Sequence, residues 1–363
     1  MIHFFIGTKA QFIKMAPLMI EMRERDVPYR HVDSGQHAEI TRSLHEVFHM
    51  PKPDVSLRDE SGDIVSILQA ITWYTKHLGS CYVARKRLRA EVFPGGGICL
   101  IHGDTLSTLL GMQMARAAGL KVAHVEAGLR SHCLWEPFPE ELIRIRCMRK
   151  SDLLFAPSDQ ALENLKQMKL RGEIVRAPGN TVADALRLMD TQQRDVDVPT
   201  EPFALATCHR LETISKRDRL RNVVKLLNQA AKIWPVVFVT HKPTYRYLEK
   251  FGLRESIDPR IDCRGMQDYA SFVSLQKRAK VVLTDGGSIQ EECGYLGKPC
   301  LVLRGVTERS DGIGTTARLW DFDDQVAEDF FAWAESYEPA AAQLDVQPSK
   351  AIVDKLCELG YCK

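Results

Sequence analysis

The residues able to do chemistry stand where short apolar runs end. Asp104 follows the run 98–101, within His102-Gly103-Asp104-Thr105, and Glu126 follows the run 121–124, within Glu126-Ala127-Gly128-Leu129-Arg130. Further on, Pro137-Phe138-Pro139-Glu140-Glu141 sets prolines before an acidic pair, a rigid entry that places Glu140 in the first turn of a helix. Taken singly, Asp104 reads as a helix N-cap and Glu140 as an acid favoured by the helix dipole. Two carboxylates at neighbouring run ends, each near a glycine, with a third close in sequence, carry more. Mutual repulsion in such a cluster holds a proton, so one group serves as general acid and another as general base. The second half supplies the opposite charge. His209 and Arg210 follow the run 204–206, and Thr284-Asp285-Gly286-Gly287-Ser288 follows the run 281–283 and opens a helix. A Gly-rich turn into a helix presents backbone N–H groups and a positive dipole end, which suits a phosphate. Arg304 and Arg309 come next, with Arg309 suited to a second phosphate, while Glu292 lies one turn into the helix, where a ribose hydroxyl would donate to it. The composite is a nucleotide diphosphate held on one half and an acid/base cluster on the other.

Positioning these groups requires alternating strands and helices. Strand-like runs cover 2–6, 30–33, 98–101, 121–124, 153–156 and 173–176, then 204–206, 236–240, 281–283 and 300–303. Amphipathic segments lie between them, at 105–118, 158–168, 217–233 and 288–296 among others. The expected class is α/β, with two Rossmann-like, doubly wound parallel-sheet domains facing a central cleft into which the carboxyl ends of the strands open. The boundary is placed at residues 177–181. This gives 1–177 with the carboxylates, 178–345 with the phosphate turn, and 346–363 as a terminal helix expected to pack back on the first domain.

Composition agrees with a globular enzyme. The chain has 363 residues, 26% of them charged, and 49 Lys and Arg against 47 Asp and Glu leave a formal charge of +2. With no basic run, nucleic acid and anionic membrane surfaces are not the expected partners. No apolar stretch reaches the roughly 20 residues that cross a bilayer, and the expected location is cytoplasmic. Ten scattered cysteines without a CxxC pair read as reduced thiols.

The motifs, in order, resemble those of the UDP-N-acetylglucosamine 2-epimerase family of glycosyltransferase-B-like fold. They are GTKAQFIKMAP (7–17), SGQH (34–37), HGDT (102–105), HVEAGLR (124–130), PFPEELIR (137–144), PGNTVADAL (178–186), CHRLE (208–212), DGGSIQEE (285–292) and VTER (306–309). The resemblance implies loss of UDP coupled to removal of the sugar C2 proton, then re-addition of UDP with a proton delivered to the opposite face. It assigns Asp104, Glu126 and Glu140 to proton transfer and His209 as the catalytic histidine. Contacts to the substrate or UDP fall on Lys9, Lys14, Arg144, His241, Phe272, Gly286, Gly287, Ser288, Glu292 and Arg309, with uracil near Phe272. Gln36 and His37 fall where an additional substrate site would be. The resemblance further implies a homodimer through the first domain, UDP as a bound intermediate, and no metal or redox cofactor.

Departures from the family pattern bear on the sugar. Lys9 and Ala10 replace Arg and Pro, Gly286 replaces Ser, Ser288 replaces Gly, and Ser310-Asp311 replaces Pro-Glu. Trp135 and Glu136 stand where Tyr and Ser are usual, and Gln11-Phe12-Ile13-Lys14 looks like relatives acting on modified sugars such as UDP-2,3-diacetamido-2,3-dideoxyglucuronate. The alternatives to UDP-N-acetylglucosamine epimerisation are that modified-sugar epimerase, a hydrolysing epimerase releasing free sugar and UDP, a glycosyltransferase of the same fold, and a non-catalytic nucleotide-sugar sensor.

Overall fold

A computed structural model describes residues 1–58, 62–64, 67–133, 139–192, 194–307, 309, 311–338 and 342–363. Side chains at 38–40, 67 and 80 are outside the description. Trp135, Glu136, Pro137, Phe138 and Ser310, named above, also lie outside the described residues.

Thirteen described strands form two parallel sheets. The first contains β1 (Ile2–Ile6), β2 (Tyr29–Asp33), β3 (Val55–Ser56), β4 (Ile98–His102), β5 (Lys121–Val125), β6 (Leu153–Ala156) and β7 (Glu173–Arg176), in the order β3-β2-β1-β4-β5-β6-β7. The second contains β8 (Ala204–Thr207), β9 (Val236–Val239), β10 (Ile261–Arg264), β11 (Val281–Thr284), β12 (Cys300–Val302) and β13 (Ala317–Leu319), in the order β10-β9-β8-β11-β12-β13. In each the chain winds outward both ways from a central pair, β1 and β4 or β8 and β11. The loops beyond such a switch point diverge and leave room for a ligand. Central strands such as β1, β4, β8 and β11 are buried throughout, as expected for sheets with helices on both faces.

The expected strands recur within a residue or two at their ends, but β3, β10 and β13 had no counterpart in the sequence reading. All three are edge strands of two to four residues, and their partly exposed, polar positions break the apolar run on which detection relies.

The chain forms two compact units, Met1–Leu188 with Asp345–Lys363, and Met189–Leu344. Helix Val182–Asp190 belongs mostly to the first, so the division falls several residues beyond 177–181. The reason is burial: Val182, Ala183, Ala185 and Leu186 are fully covered, and Asp184 accepts the Ser349 N–H at 2.7 Å. The closing helix Pro348–Glu358 packs on helix Lys9–Glu24 of the same unit through Ile352, Val353 and Leu356.

The cysteines need one correction. Cys357 and Cys362 form a disulfide, because the helix end and the left-handed Gly360 turn the chain back and bring their Cα atoms to 4.7 Å. The other eight are free, and Cys133 and Cys263 among them are exposed.

Candidate active site

In the first unit the site begins at the ends of β4 and β5, which run side by side with His102 opposite Val125. After β4 the chain turns through Gly103 at φ +67°, and Thr105 caps helix Leu106–Ala117 through a capping box with Thr108. Asp104 is therefore not the cap. Its carboxylate receives Arg144 Nη2, while Arg144 Nη1 donates to Glu141 at 2.7 Å. Glu141 is 0% exposed and also accepts from Arg130 and from the Ser131 N–H at 3.2 Å. Burial pushes its carboxyl up, but these bonds from Arg130, Ser131 and Arg144 outweigh burial and hold it below its ordinary value.

Glu126 ends β5 with φ +64°, a left-handed conformation that costs a β-carbon residue energy and persists only where the surroundings impose it. Three anchors impose it here. The following Ala127 N–H donates to Phe155 at 2.9 Å, and the carboxylate receives Lys14 Nζ and Asn180 Nδ2, with His102 Nε2 3.6 Å from the same oxygen. Lys14 is only 1% exposed and Glu126 7%. A buried ion pair of this kind holds its geometry because either charge alone would be stranded. Asn180 reaches Glu126 while its own Oδ1 accepts the Val182 N–H at 3.1 Å, which ties the carboxylate to the start of helix Val182–Asp190.

The turn before Asp104 is held from two further sides. His124 Nε2 lies 2.8 Å from the Gly103 carbonyl, and burial lowers its pKa to about 4 despite that bond, so the ring is neutral and donates. Gln11 accepts the N–H groups of Gly7 and Thr8 and donates to the His102 carbonyl at 2.9 Å and to Thr108 Oγ1 at 2.8 Å. Gln36 accepts from Ser107 N–H and Oγ at 3.2 and 2.6 Å. His37 donates its backbone N–H to Gly7 at 2.9 Å, and burial lowers its imidazole pKa. Lys9 opens helix Lys9–Glu24 and is half-buried.

In the second unit, β8 and β11 pair in parallel with Thr207 opposite Thr284, so the turns that follow are neighbours. His209 stands in the first turn and stacks on His241, ring centroids 4.7 Å apart and planes at 27°. The second turn passes Gly286, the N-cap of helix Gly287–Leu296, whose N–H donates to Thr284 Oγ1 at 3.0 Å; Gly287 is buried and Ser288 half-buried. Glu292 accepts from Tyr269 Oη at 3.1 Å, and burial together with that carboxylate raises the phenol well above its ordinary value. Phe272 is half-buried on helix Tyr269–Arg278 and packs against the apolar cluster around Val237 and Val282. Arg309 Nη1 donates to Glu291 at 2.6 Å, and Gln290 holds the Arg309 carbonyl at 3.1 Å, so this guanidinium is already engaged.

Asp104 and Glu126 thus stand at adjacent strand ends, each with its own buried cation. Glu140 opens helix Glu140–Lys150, the helix that carries Arg144 to Asp104. Sequence reasoning gave no site role to Glu141, Asn180 or Asp285, and took Gln11 only as part of a run bearing on the sugar. Only the second acid of the Glu-Glu pair and the Asn of PGNT carried a signal, and neither distinguishes an inward from an outward side chain.

The sequence model of the UDP-N-acetylglucosamine 2-epimerase family matches residues 20–327. The chain is 30% identical to the UDP-N-acetylglucosamine 2-epimerase of Bacillus subtilis, over 98% of this chain and 95% of the relative. It is 31% identical to the UDP-2,3-diacetamido-2,3-dideoxy-D-glucuronate 2-epimerase of Pseudomonas aeruginosa, over 84% and 83%. The crystal structure of Neisseria meningitidis UDP-GlcNAc 2-epimerase bound to UDP-GlcNAc superposes with a TM-score of 0.85 at 25% identity, covering 98% of this chain and 99% of that one. With the ordered motifs, the two parallel sheets and the paired carboxylates, these matches place the chain in the UDP-N-acetylglucosamine 2-epimerase family.

Proposed function

We propose that the chain inverts C2 of a UDP-activated 2-acetamido sugar, interconverting UDP-N-acetylglucosamine and UDP-N-acetylmannosamine or a close analogue. One observation carries this reading: two carboxylates, Asp104 and Glu126, end neighbouring strands in different surroundings, one on Arg144 and the other between Lys14 and Asn180. Inversion at one carbon needs one group to take the proton and another to give it back, and two carboxylates in one site can share those tasks. As the base takes the C2 proton, the C2–H electron pair becomes the C1=C2 double bond and UDP leaves C1 with the bonding pair. UDP then returns to C1 while a proton reaches C2 from the other face. The departing diphosphate needs donors fixed in advance, and His209 with the turn Gly286-Gly287-Ser288 supplies them. Arg309 would join by sharing its guanidinium between Glu291 and a phosphate.

A second substrate, UDP-2,3-diacetamido-2,3-dideoxyglucuronate, is favoured by the identity to the Pseudomonas enzyme and by the run Gln11-Phe12-Ile13-Lys14. We further propose a homodimer through the first unit. Helix Ile67–Val83 leaves Leu68, Ile71, Tyr82 and Val83 exposed at 72, 53, 71 and 90%, an apolar face suited to a second copy. Among the described residues no helix is long and apolar enough to cross a membrane. Six buried free thiols suit a cytoplasmic location.

The test is product NMR with a panel of UDP-sugars in deuterated water. The reading expects deuterium at C2 with epimeric UDP-sugar recovered. Release of free sugar and UDP as the only products would mark a hydrolase, and turnover only with an acceptor would mark a transferase.

A further inference from the structure

Asn180 stands in the turn between β7 and helix Val182–Asp190, far in sequence from the strand end it reaches. It is 2% exposed, and both ends of its amide are committed. Oδ1 accepts the Val182 N–H at 3.1 Å, and the Asn180 carbonyl accepts the Ala183 N–H at 3.0 Å, so the residue caps the helix it precedes. An oxygen that takes an N–H fixes which way an amide faces, and Nδ2 is thereby turned onto Oε2 of Glu126. The helix is anchored in its turn. Asp184 Oδ2 accepts the Ser349 N–H at 2.7 Å, and Arg187 Nη1 donates to the Val346 carbonyl at 2.9 Å.

Other groups face the same carboxylate. Lys14 arrives on Oε2 from helix Lys9–Glu24, and His102 at the end of β4 brings Nε2 to 3.6 Å from that oxygen. His124, two residues back in β5, lies close enough to feel the Glu126 charge. Asn180 differs from all of these in kind, because an amide does not titrate and its bond is present at every pH. A carboxylate buried as deeply as Glu126 keeps its charge only while donors surround it, and each donor to the ionised form favours that form.

We propose that Asn180 is a positioning residue for Glu126: its amide, aimed by the helix it caps, fixes the carboxylate's orientation and favours the charged form that can take a proton from the sugar C2. This rests on the epimerase reading of the site for its consequence in turnover, while the titration of Glu126 is a property of the free protein. Two substitutions separate the donor from the cap. Asn180→Asp keeps the capping oxygen but turns a second carboxyl group on Glu126. Asn180→Thr also caps, but sets a methyl group where Nδ2 donates.

The test uses the full chain labelled with 13C at the glutamate carboxyl carbon, the Glu126 resonance being assigned by its loss in Glu126→Gln. The proposal expects the apparent Glu126 midpoint to rise by about one pH unit in Asn180→Thr and by about two in Asn180→Asp. A base with a raised pKa loses its accepting form at higher pH, so the acid limb of kcat/KM, which reports the free enzyme, should move up by similar amounts. On the plateau kcat should fall about 10-fold or more, with KM for the UDP-sugar changed less than about 3-fold. Either variant alone carries the comparison should the other not fold. A folded variant whose Glu126 midpoint and acid limb match the wild type, with only its denaturation midpoint lowered, overturns the proposal and leaves Asn180 a helix cap. If the wild type turns over no UDP-sugar while the Glu126 midpoint still moves in the variants, the epimerase reading fails and the positioning assignment stands.

Discussion

Acid should weaken the first unit through its buried imidazoles, among them His31 and His124 together with His3 in β1, whose own pKa burial also lowers to about 4. His31 in β2 has a pKa lowered to about 3 by burial and then by the neighbouring His45, and His124 in β5 has one lowered to about 4 by burial. Both lie in the same sheet, and His31 Nε2 meets no hydrogen-bond partner among the described residues. A base whose folded pKa is depressed binds protons more readily once unfolded, so stability rises with pH across the interval between the two values. The unfolded value is about 6.5, hence nothing is lost at pH 7.5 and the loss grows as pH falls below that point. At pH 5.0 both folded values are still below the solution pH, so the full span of about 1.5 units counts. At about 1.4 kcal/mol per unit, each histidine costs about 2 kcal/mol and the two together about 4 kcal/mol. Asp33 acts with the opposite sign, because burial raises its carboxyl and the folded state then favours its proton. Glu141 and Glu212, held low by their partners, act only below about pH 4.5, outside this window. Single variants isolate the histidine contribution from these. Urea titrations at pH 7.5 and 5.0, with hydrogen exchange in β2 and β5 reporting on this unit, should show the acid penalty shrink by about 2 kcal/mol in His124→Gln. The glutamine still donates to Gly103 but does not titrate. His31→Leu should recover a similar amount. An acid penalty of unchanged size in both variants would refute the reasoning, since the imidazoles would then be protonated within the fold.

Other consequences follow from the same geometry. Lys14→Met strands the buried Glu126 carboxylate and should cost about 3–5 kcal/mol by chemical denaturation, with most of it recovered in the double variant Lys14→Met/Glu126→Gln. A double variant as unstable as the single would show that the pair is not the source. Gly128→Ala forces a side chain onto φ +96° and brings its Cβ within 2.3 Å of the Ala161 carbonyl. Backbone cannot yield there, so a loss of about 3 kcal/mol or more is expected, and a change under 1 kcal/mol would contradict it. Asp104→Asn should retain UDP binding by calorimetry yet lose solvent-deuterium incorporation at C2 by about 10²-fold or more. Equal exchange in this variant and the wild type would remove Asp104 from proton transfer.

Much of this protein is written in one dimension. Buried parallel strands are continuous apolar runs, so β1, β4, β5, β8, β9 and β11 stand out without any structure, and the residues just after them are where a doubly wound sheet presents ligands. That rule alone isolates Asp104, Glu126, His209 and the turn at Gly286, because being next to a strand end is a property of sequence. The edge strands β3, β10 and β13 escaped for the same reason in reverse, since a strand covered on fewer sides has no need of a long apolar run.

Pairing, by contrast, belongs to the tertiary structure. Nothing in the spacing says that Arg144 engages Asp104 and Glu141, that Lys14 is sealed beneath Glu126, or that Asn180 reaches the same carboxylate from far along the chain. Sequence placed Lys14, Arg144 and Arg309 among ligand contacts, whereas each side chain already has a carboxylate partner. The Gly286 turn reads as a phosphate cradle, but Asp285 beside it accepts the His209 N–H only when β8 and β11 come into register. The sequence by itself determined which residue types reach the strand ends, because local periodicity governs that. Only the folded sheets decided which charges meet, because long-range register brings them together and burial forces each to find a partner.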